Sequence, residues 1–100
     1  MIDFTISPKN FGLKIIDLKN ETYLEFIREC KCVICGKPNP SDPHHVMNER
    51  RNDYLAVPLC RVCHADYHSL GSVELFNQKY NVDLMWMIVN YLSYYIQERL

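Results

Sequence analysis

Two Cys-x2-Cys pairs, Cys32/Cys35 and Cys60/Cys63, stand 24 residues apart, and four histidines fall between them or just after: His44, His45, His64 and His68. A two-residue gap lets both thiolates of one turn reach a single tetrahedral ion at about 2.3 Å. In a reducing interior, paired knuckles of this kind mean zinc rather than a disulfide. Cys32, Cys35, Cys60 and Cys63 are therefore the expected ligands of a structural Zn2+. Gly36 follows the second thiol, where freedom to adopt positive φ turns backbone N–H groups toward the sulfurs. Cys30, the fifth cysteine, reads as a small buried hydrophobe near the end of a helix.

The histidine spacing points to a second ion. His64 and His68 are four apart, so on a helix their imidazoles project from one face about one turn apart. His44 and His45 are adjacent, so on a strand they point to opposite sides of the backbone. One of that pair can join His64 and His68 on a metal while the other faces outward as a base, since an imidazole accepts a proton from water near neutral pH. Two plainer readings stand beside this: a His-His pair on a polar loop is usually only solvated, and His64 beside Cys63 is an alternative zinc ligand. The combined order, four soft thiolates for a closed site and three imidazoles for an open one, favours two centres.

Several elements must position these residues. Thr22 and Glu25 make a capping box that opens a helix over about 23–30, with Tyr23, Phe26 and Ile27 on one face, leading into the first knuckle. Gly36 to Pro43 holds three prolines and is a loop. His44 to Met47 reads as one short strand and Tyr54 to Leu59 as a second, joined by the polar stretch Asn48 to Asp53; Pro58 places the second strand's end at an edge or bend. A helix is expected from Cys60 to about Leu70, stopped by Gly71. Ser72 caps another to about Tyr80, which Asn81 breaks. The last helix, about Leu84 to Glu98, is apolar on more than one side and so is either deeply packed or shared with a second subunit. Residues 1–22 form an arm, with Ile2, Phe4, Ile6, Leu13 and Ile15 suggesting a weak strand. The whole reads as one α+β domain: arm 1–22, zinc-stapled core 23–70, helical extension 71–100.

Composition closes off several classes. Of 100 residues, 48% are apolar and 23% charged, with three Gly and five Pro, which excludes disordered and collagen-like chains. No apolar run reaches the roughly 18 residues of a spanning helix, so no membrane partner is expected. The start, Met1 to Pro8, lacks a basic region and a continuous apolar stretch, so a cytoplasmic location is expected. A domain of this size gains from extra fastening such as a metal.

The run Cys32-Val-Ile-Cys-Gly36, His44-His45-Val46, then Val57-Pro-Leu-Cys-Arg-Val-Cys-His64 and His68 resembles the His-Me finger (HNH) endonucleases that carry a zinc knuckle. It is similar in particular to the small prophage-type nucleases related to recombination-enhancement proteins. The likeness covers about residues 23–90 and takes in the lead-in Tyr23 to Cys32 and the tail Gly71 to Leu84. The resemblance implies a ββα-metal core in which His44, His64 and His68 hold a catalytic divalent ion and His45 is the general base. The family often has an Asn about five residues before the third Cys, where Leu55 stands here. Asp53 matches the Asp of the prophage-type subgroup, with Asn52 as a substitute candidate. The hairpin loop from Met47 to Asn52 is shorter than in many relatives and lacks their glycines.

The implied chemistry is hydrolysis of DNA phosphodiester bonds, leaving a 5′ phosphate and a 3′ hydroxyl. His45 deprotonates water while the ion contacts the phosphate and the 3′ oxygen. Imidazole ligands suit Zn2+, Ni2+ or Mn2+, although the family often uses Mg2+. Arg50, Arg51 and Arg61 are candidates to clamp phosphates, against the ordinary reading of a solvated loop. The net charge of −1 gives no general argument for nucleic acid, although residues 28–61 carry six basic side chains against four acidic ones. RNA remains an alternative substrate. Two other functions compete: a non-catalytic zinc module binding nucleic acid or protein, and a homodimer or larger assembly built on the aromatic tail with Trp86, Tyr91, Tyr94 and Tyr95.

Overall fold

The computed structural model describes residues 17–38, 40–46 and 50–100. The expected strand in the arm and the middle of the hairpin connection, Met47 to Glu49, lie outside the described residues. The order is α1 (Glu21–Glu29), β1 (Asp42–His45), a 3-10 turn (Asp53–Leu55), β2 (Ala56–Leu59), α2 (Arg61–Leu70), α3 (Val73–Tyr80) and α4 (Leu84–Glu98). The described residues form an α+β arrangement of four helices and a two-stranded sheet.

β1 and β2 run antiparallel, with Asp42 opposite Leu59, Pro43 opposite Pro58, His44 opposite Val57 and His45 opposite Ala56. Each strand of such a ribbon is an edge, which is why two prolines are tolerated in it. Pro58, expected to place the end of the second strand at an edge or bend, is the residue before the last of this edge strand and is fully buried. Its carbonyl accepts from Val33 N–H at 3.0 Å, docking the first knuckle on the outer edge of β2. The strands begin elsewhere than expected. β1 starts at Asp42, where Ser41 is anchored to the end of α1 through Ser41 N to Arg28 O (2.9 Å) and Ser41 Oγ to Cys30 O (2.8 Å). β2 starts at Ala56, because Asn52 Oδ1 accepts from Tyr54 N–H at 3.0 Å and coils Asp53–Leu55 into a turn.

α1 also starts earlier than the Thr22 capping box implies. Asn20 is the cap, its Oδ1 accepting from Tyr23 N–H at 3.0 Å, and Thr22 falls inside the first turn. Asn20 wins because other groups hold it extended: its N–H donates to Asp53 Oδ2 (2.7 Å) and its Nδ2 to Tyr54 Oη (2.7 Å). The later helices follow their local signals. Gly71 ends α2 at φ 84°, Ser72 caps α3, Asn81 ends it at φ 52°, and Asp83 caps α4 through Met85 and Trp86 N–H groups.

The main core gathers Val46, Val57, Leu59, Phe76, Leu84 and Ile88 around Cys32, Cys60 and Cys63. A second cluster, Tyr23, Ile27 and Tyr95, joins α1 to α4, with Tyr95 edge-on to Tyr23 at 4.8 Å between ring centroids. α4 buries one stripe, Leu84, Ile88 and Tyr95, and leaves Met85, Trp86, Val89, Tyr94 and Ile96 exposed. No described helix is long and apolar enough to cross a membrane.

Candidate metal centres

The four knuckle cysteines converge, their sulfurs all within 4.8 Å of one another. Cys32 and Cys35 come from the turn after α1, tightened by Gly36 at φ 73° and by Gly36 N–H to Cys32 O at 3.0 Å. Cys60 and Cys63 come from the first turn of α2, where Cys60 is itself the helix cap and its sulfur accepts from Cys63 N–H at 3.4 Å. A tetrahedral ion with sulfurs at 2.3 Å separates them by about 3.8 Å; Cys35 Sγ and Cys60 Sγ are 3.6 Å apart. The set fits a metal such as zinc. Burial alone pushes the Cys32 thiol up, but backbone N–H groups of Cys35, Cys60 and Ile34 outweigh it and bring the thiol down to about 7. Burial raises the Cys63 thiol, a cost that a bound cation removes. Cys35 is exposed and the other three are buried.

Cys30 stays apart from this cluster. It ends α1 half-buried, its thiol donating to Phe26 O at 3.2 Å, as expected of a packing residue.

The second cluster comprises His44 on β1 with His64 and His68 on α2, again with ligand atoms within 4.8 Å. His44 Nδ1 is 3.2 Å from His64 Nε2, and His68 Nε2 is 3.1 Å from the same atom. Neutral imidazoles cannot satisfy this convergence among themselves, because His64 Nε2 has a single site for two neighbours. A tetrahedral ion with nitrogens at 2.0–2.1 Å spaces them by about 3.3 Å, so the three rings could hold one cation. Burial, followed by the charges of His64, His68 and His45, lowers His44 to about 4, leaving it neutral at ordinary pH as a ligand must be. Its Nε2 is buried without a hydrogen-bond partner among the described residues, and its ring packs on Tyr67 with centroids 4.0 Å apart. His64 therefore belongs to the imidazole cluster rather than to the thiol site.

His45 turns to the other side of the strand, as neighbouring strand positions must. Its Nε2 is 2.9 Å from Asp53 Oδ1. Asp53 is buried and is held through Oδ2 by Asn20 N–H at 2.7 Å. Burial raises the Asp53 carboxyl, but the His45 hydrogen bond, the Asn20 N–H and Lys19 together bring it below its ordinary value, so it is an anion facing the imidazole. The loop carrying it is strapped down: Leu18 N–H donates to Arg51 O (2.8 Å), Asp53 N–H to Leu18 O (2.9 Å), and the Lys19 ammonium to Arg50 O.

A cavity of about 170 Å³ opens over these groups, lined by Pro43, His44, His45, Arg50, His64 and His68. The three arginines separate here. Arg50 reaches this cavity, while Arg61 borders a second one with Lys37, Pro38, Pro40, Asp42 and Cys60. Arg51 is exposed and lines neither. Leu55 packs against the core rather than at the cavity, and Asn52 serves as a cap.

Sequence reasoning missed Asp42, whose Oδ2 is 3.4 Å from His64 Nδ1. A proton held there leaves the Nε2 lone pair facing the other two histidines, the usual role of a carboxylate behind a ligating imidazole. The signal was available, since Asp42 and His44 are two apart and share a strand face. Asn20 and Lys19 carried no comparable signal.

The family model described as "Protein of unknown function (DUF968)" matches residues 5–97, and the chain belongs to that family. The "Uncharacterized protein YdfU" of Escherichia coli (strain K12) is 31% identical over 71 residues, covering 64% of this chain and 20% of that protein. The chain thus spans about a fifth of the length of that curated relative. No solved structure matches it.

Proposed function

We propose that the protein is a metal-dependent endonuclease of the His-Me finger (HNH) type that hydrolyses DNA phosphodiester bonds. The observation that carries this reading is the division of the two adjacent histidines. His44 faces inward to His64 and His68, while His45 faces the opposite way onto the buried Asp53. Two antiparallel strands followed by a helix support the ββα framework that the sequence resemblance implies.

In this mechanism Asp53 accepts the Nε2 proton of His45, which leaves Nδ1 free to take a proton from water. The ionised carboxylate then stabilises the imidazolium that forms. Arg50 at the cavity rim supplies a planar fork for a phosphate oxygen. His44, His64 and His68 would hold one divalent ion, with Asp42 fixing the His64 tautomer. When bound, that ion supplies Lewis-acid stabilisation of the phosphate and of the leaving 3′ oxygen. An all-imidazole set favours Mn2+, Ni2+ or Zn2+ over Mg2+. The thiol site would hold a structural Zn2+.

The deciding experiment is cleavage of plasmid DNA and labelled DNA and RNA oligonucleotides with Mg2+, Mn2+, Ni2+ and Zn2+, comparing wild type with His45→Ala. Metal-dependent cutting by wild type and its loss in the variant is expected. Equal cutting by both proteins refutes the base. A second reading, a zinc module that binds a partner or dimerises through α4, draws on that helix's exposed Met85, Trp86, Val89 and Ile96. It requires one ion per chain, unaffected by changing His64 and His68, where the nuclease requires two.

A further inference from the structure

The cavity over the histidines has a neighbour. A groove of about 270 Å³ lies between the proline-rich loop and the first turn of α2, bordered by Lys37, Pro38, Pro40, Asp42, Cys60 and Arg61. We propose that this groove seats a phosphate of the substrate strand flanking the scissile one, gripped by Lys37 and Arg61. The proposal rests on the nuclease reading and extends it by a second binding position.

Three observations converge on it. Most other described cations are neutralised: Lys19, Arg28, Lys79 and Arg99 each have a carboxylate oxygen within 2.6–3.9 Å. The side chains of Lys37 and Arg61 have no ion pair or hydrogen bond among the described residues, although both face a concavity that would suit one. The acid in the groove does not serve them either, because the Asp42 carboxylate is turned toward His64. Unpaired cations in a fixed hollow are available to an anion from outside.

The spacing also suits a nucleic-acid strand. Arg61, His64 and His68 stand at i, i+3 and i+7 and share one face of α2. Three residues of helix rise about 4.5 Å. One strand of duplex DNA presents a phosphate about every 3.4 Å along its axis, so a strand lying along α2 would bring a flanking phosphate toward Arg61. Arg50 borders the histidine cavity itself, and Arg61 and Lys37 border the groove beside it. Knuckle and prolines hold the groove's backbone, and the Arg61 fork suits two phosphate oxygens at once.

Lys37 and Arg61 have one competing duty. Four thiolates around zinc carry a net charge of −2, and nearby cations offset it. The test separates the two. In a cleavage-silent His45→Ala background, the affinity for a labelled DNA duplex is measured across a salt series, with and without Lys37→Ala plus Arg61→Ala. Zinc content and thermal melting are recorded on the same samples. Removing two phosphate contacts should lower the slope of log K against log salt by about 1.8, with zinc content unchanged. Arg28→Ala, which removes a cation already paired with Glu21, should leave the slope as it was. An unchanged slope with lost zinc overturns the seat and assigns both cations to the thiolates. An unchanged slope with zinc retained overturns it outright. A parent protein that binds no DNA at any salt removes the nuclease reading, and the seat with it.

Discussion

The thiol cluster and the imidazole cluster share α2 and meet water differently. Three of the four thiols are buried among Val57, Leu59 and Phe76, so the sulfurs are part of the core. Of the three imidazoles, only His44 is buried; His64 is partly open and His68 exposed, and a cavity stands over them. The first geometry is closed, with four donors and no position for a further ligand. The second offers three donors and a free side. Closed sulfur sites hold folds together, and open nitrogen sites leave a position for water or substrate. The neighbourhood of each agrees. The thiols are surrounded by backbone N–H groups and apolar side chains, and the imidazoles by Asp42, Arg50 and the His45–Asp53 pair.

The contrast is best broken at its strongest point. Cys63→Ser, or prolonged treatment with a strong chelator, should abolish the cooperative fold, as read by circular dichroism and thermal melting. Structural zinc is worth about 10–16 kcal/mol, against the about 5–15 kcal/mol by which a domain is usually stable. A Cys63→Ser protein that melts like wild type would remove the distinction between the sites. The complementary change is His64→Ala with His68→Ala. It should keep the fold and one zinc per chain, lose the second ion, and reduce cleavage by roughly a hundredfold or more, as measured by elemental analysis alongside the nuclease assay. His45→Ala should retain both ions and lower the cleavage rate by about 10²–10⁴-fold, an outcome that would separate the proposed base from the proposed ligands beside it.

Asp53→Asn sharpens the picture further. A roughly 10- to 100-fold loss of activity with both metals retained is expected for a residue that acts by orienting His45. Stability should respond as well. Because the Asp53 carboxyl is depressed in the folded protein, its contribution is complete above its ordinary value near 3.9 and fades as pH falls through the lower folded value. The difference in melting temperature between wild type and Asp53→Asn should therefore shrink on acidification. The smallest effect belongs to Cys30→Ala, which should leave metal content unchanged because, among the described residues, its thiol makes only a local hydrogen bond.

What could be read from the sequence follows the range of the interactions responsible. The metal-ligand candidates were legible because chelation fixes residue types and short spacings. The limits of α2 and α3 were legible because Gly71, Ser72 and Asn81 act on their own helix ends. The start of α1 was not, since Asn20 is held from Asp53, 33 positions away. Nor was the start of β2, where Asn52 coils the first residues of the apolar run Tyr54 to Leu59 into a turn. The role of Asp53 was matched by resemblance, and the geometry adds its partner, His45 Nε2. Lys37 carried no signal at all, because the groove it borders exists only once the loop folds against α2.

The facing prolines of the ribbon, Pro43 and Pro58, bear on which histidine does what. Neither has an N–H to give, so the pair must sit where the ladder asks for none. Sliding one strand by a single residue would bring a proline to a position that requires a donor. The same slide would turn every side chain of that strand over, carrying His45 inward and His44 out. The prolines thus act as a latch on register. They make it a property of the backbone, rather than of the imidazoles themselves, which of two adjacent, chemically identical side chains meets His64 and His68 and which meets Asp53.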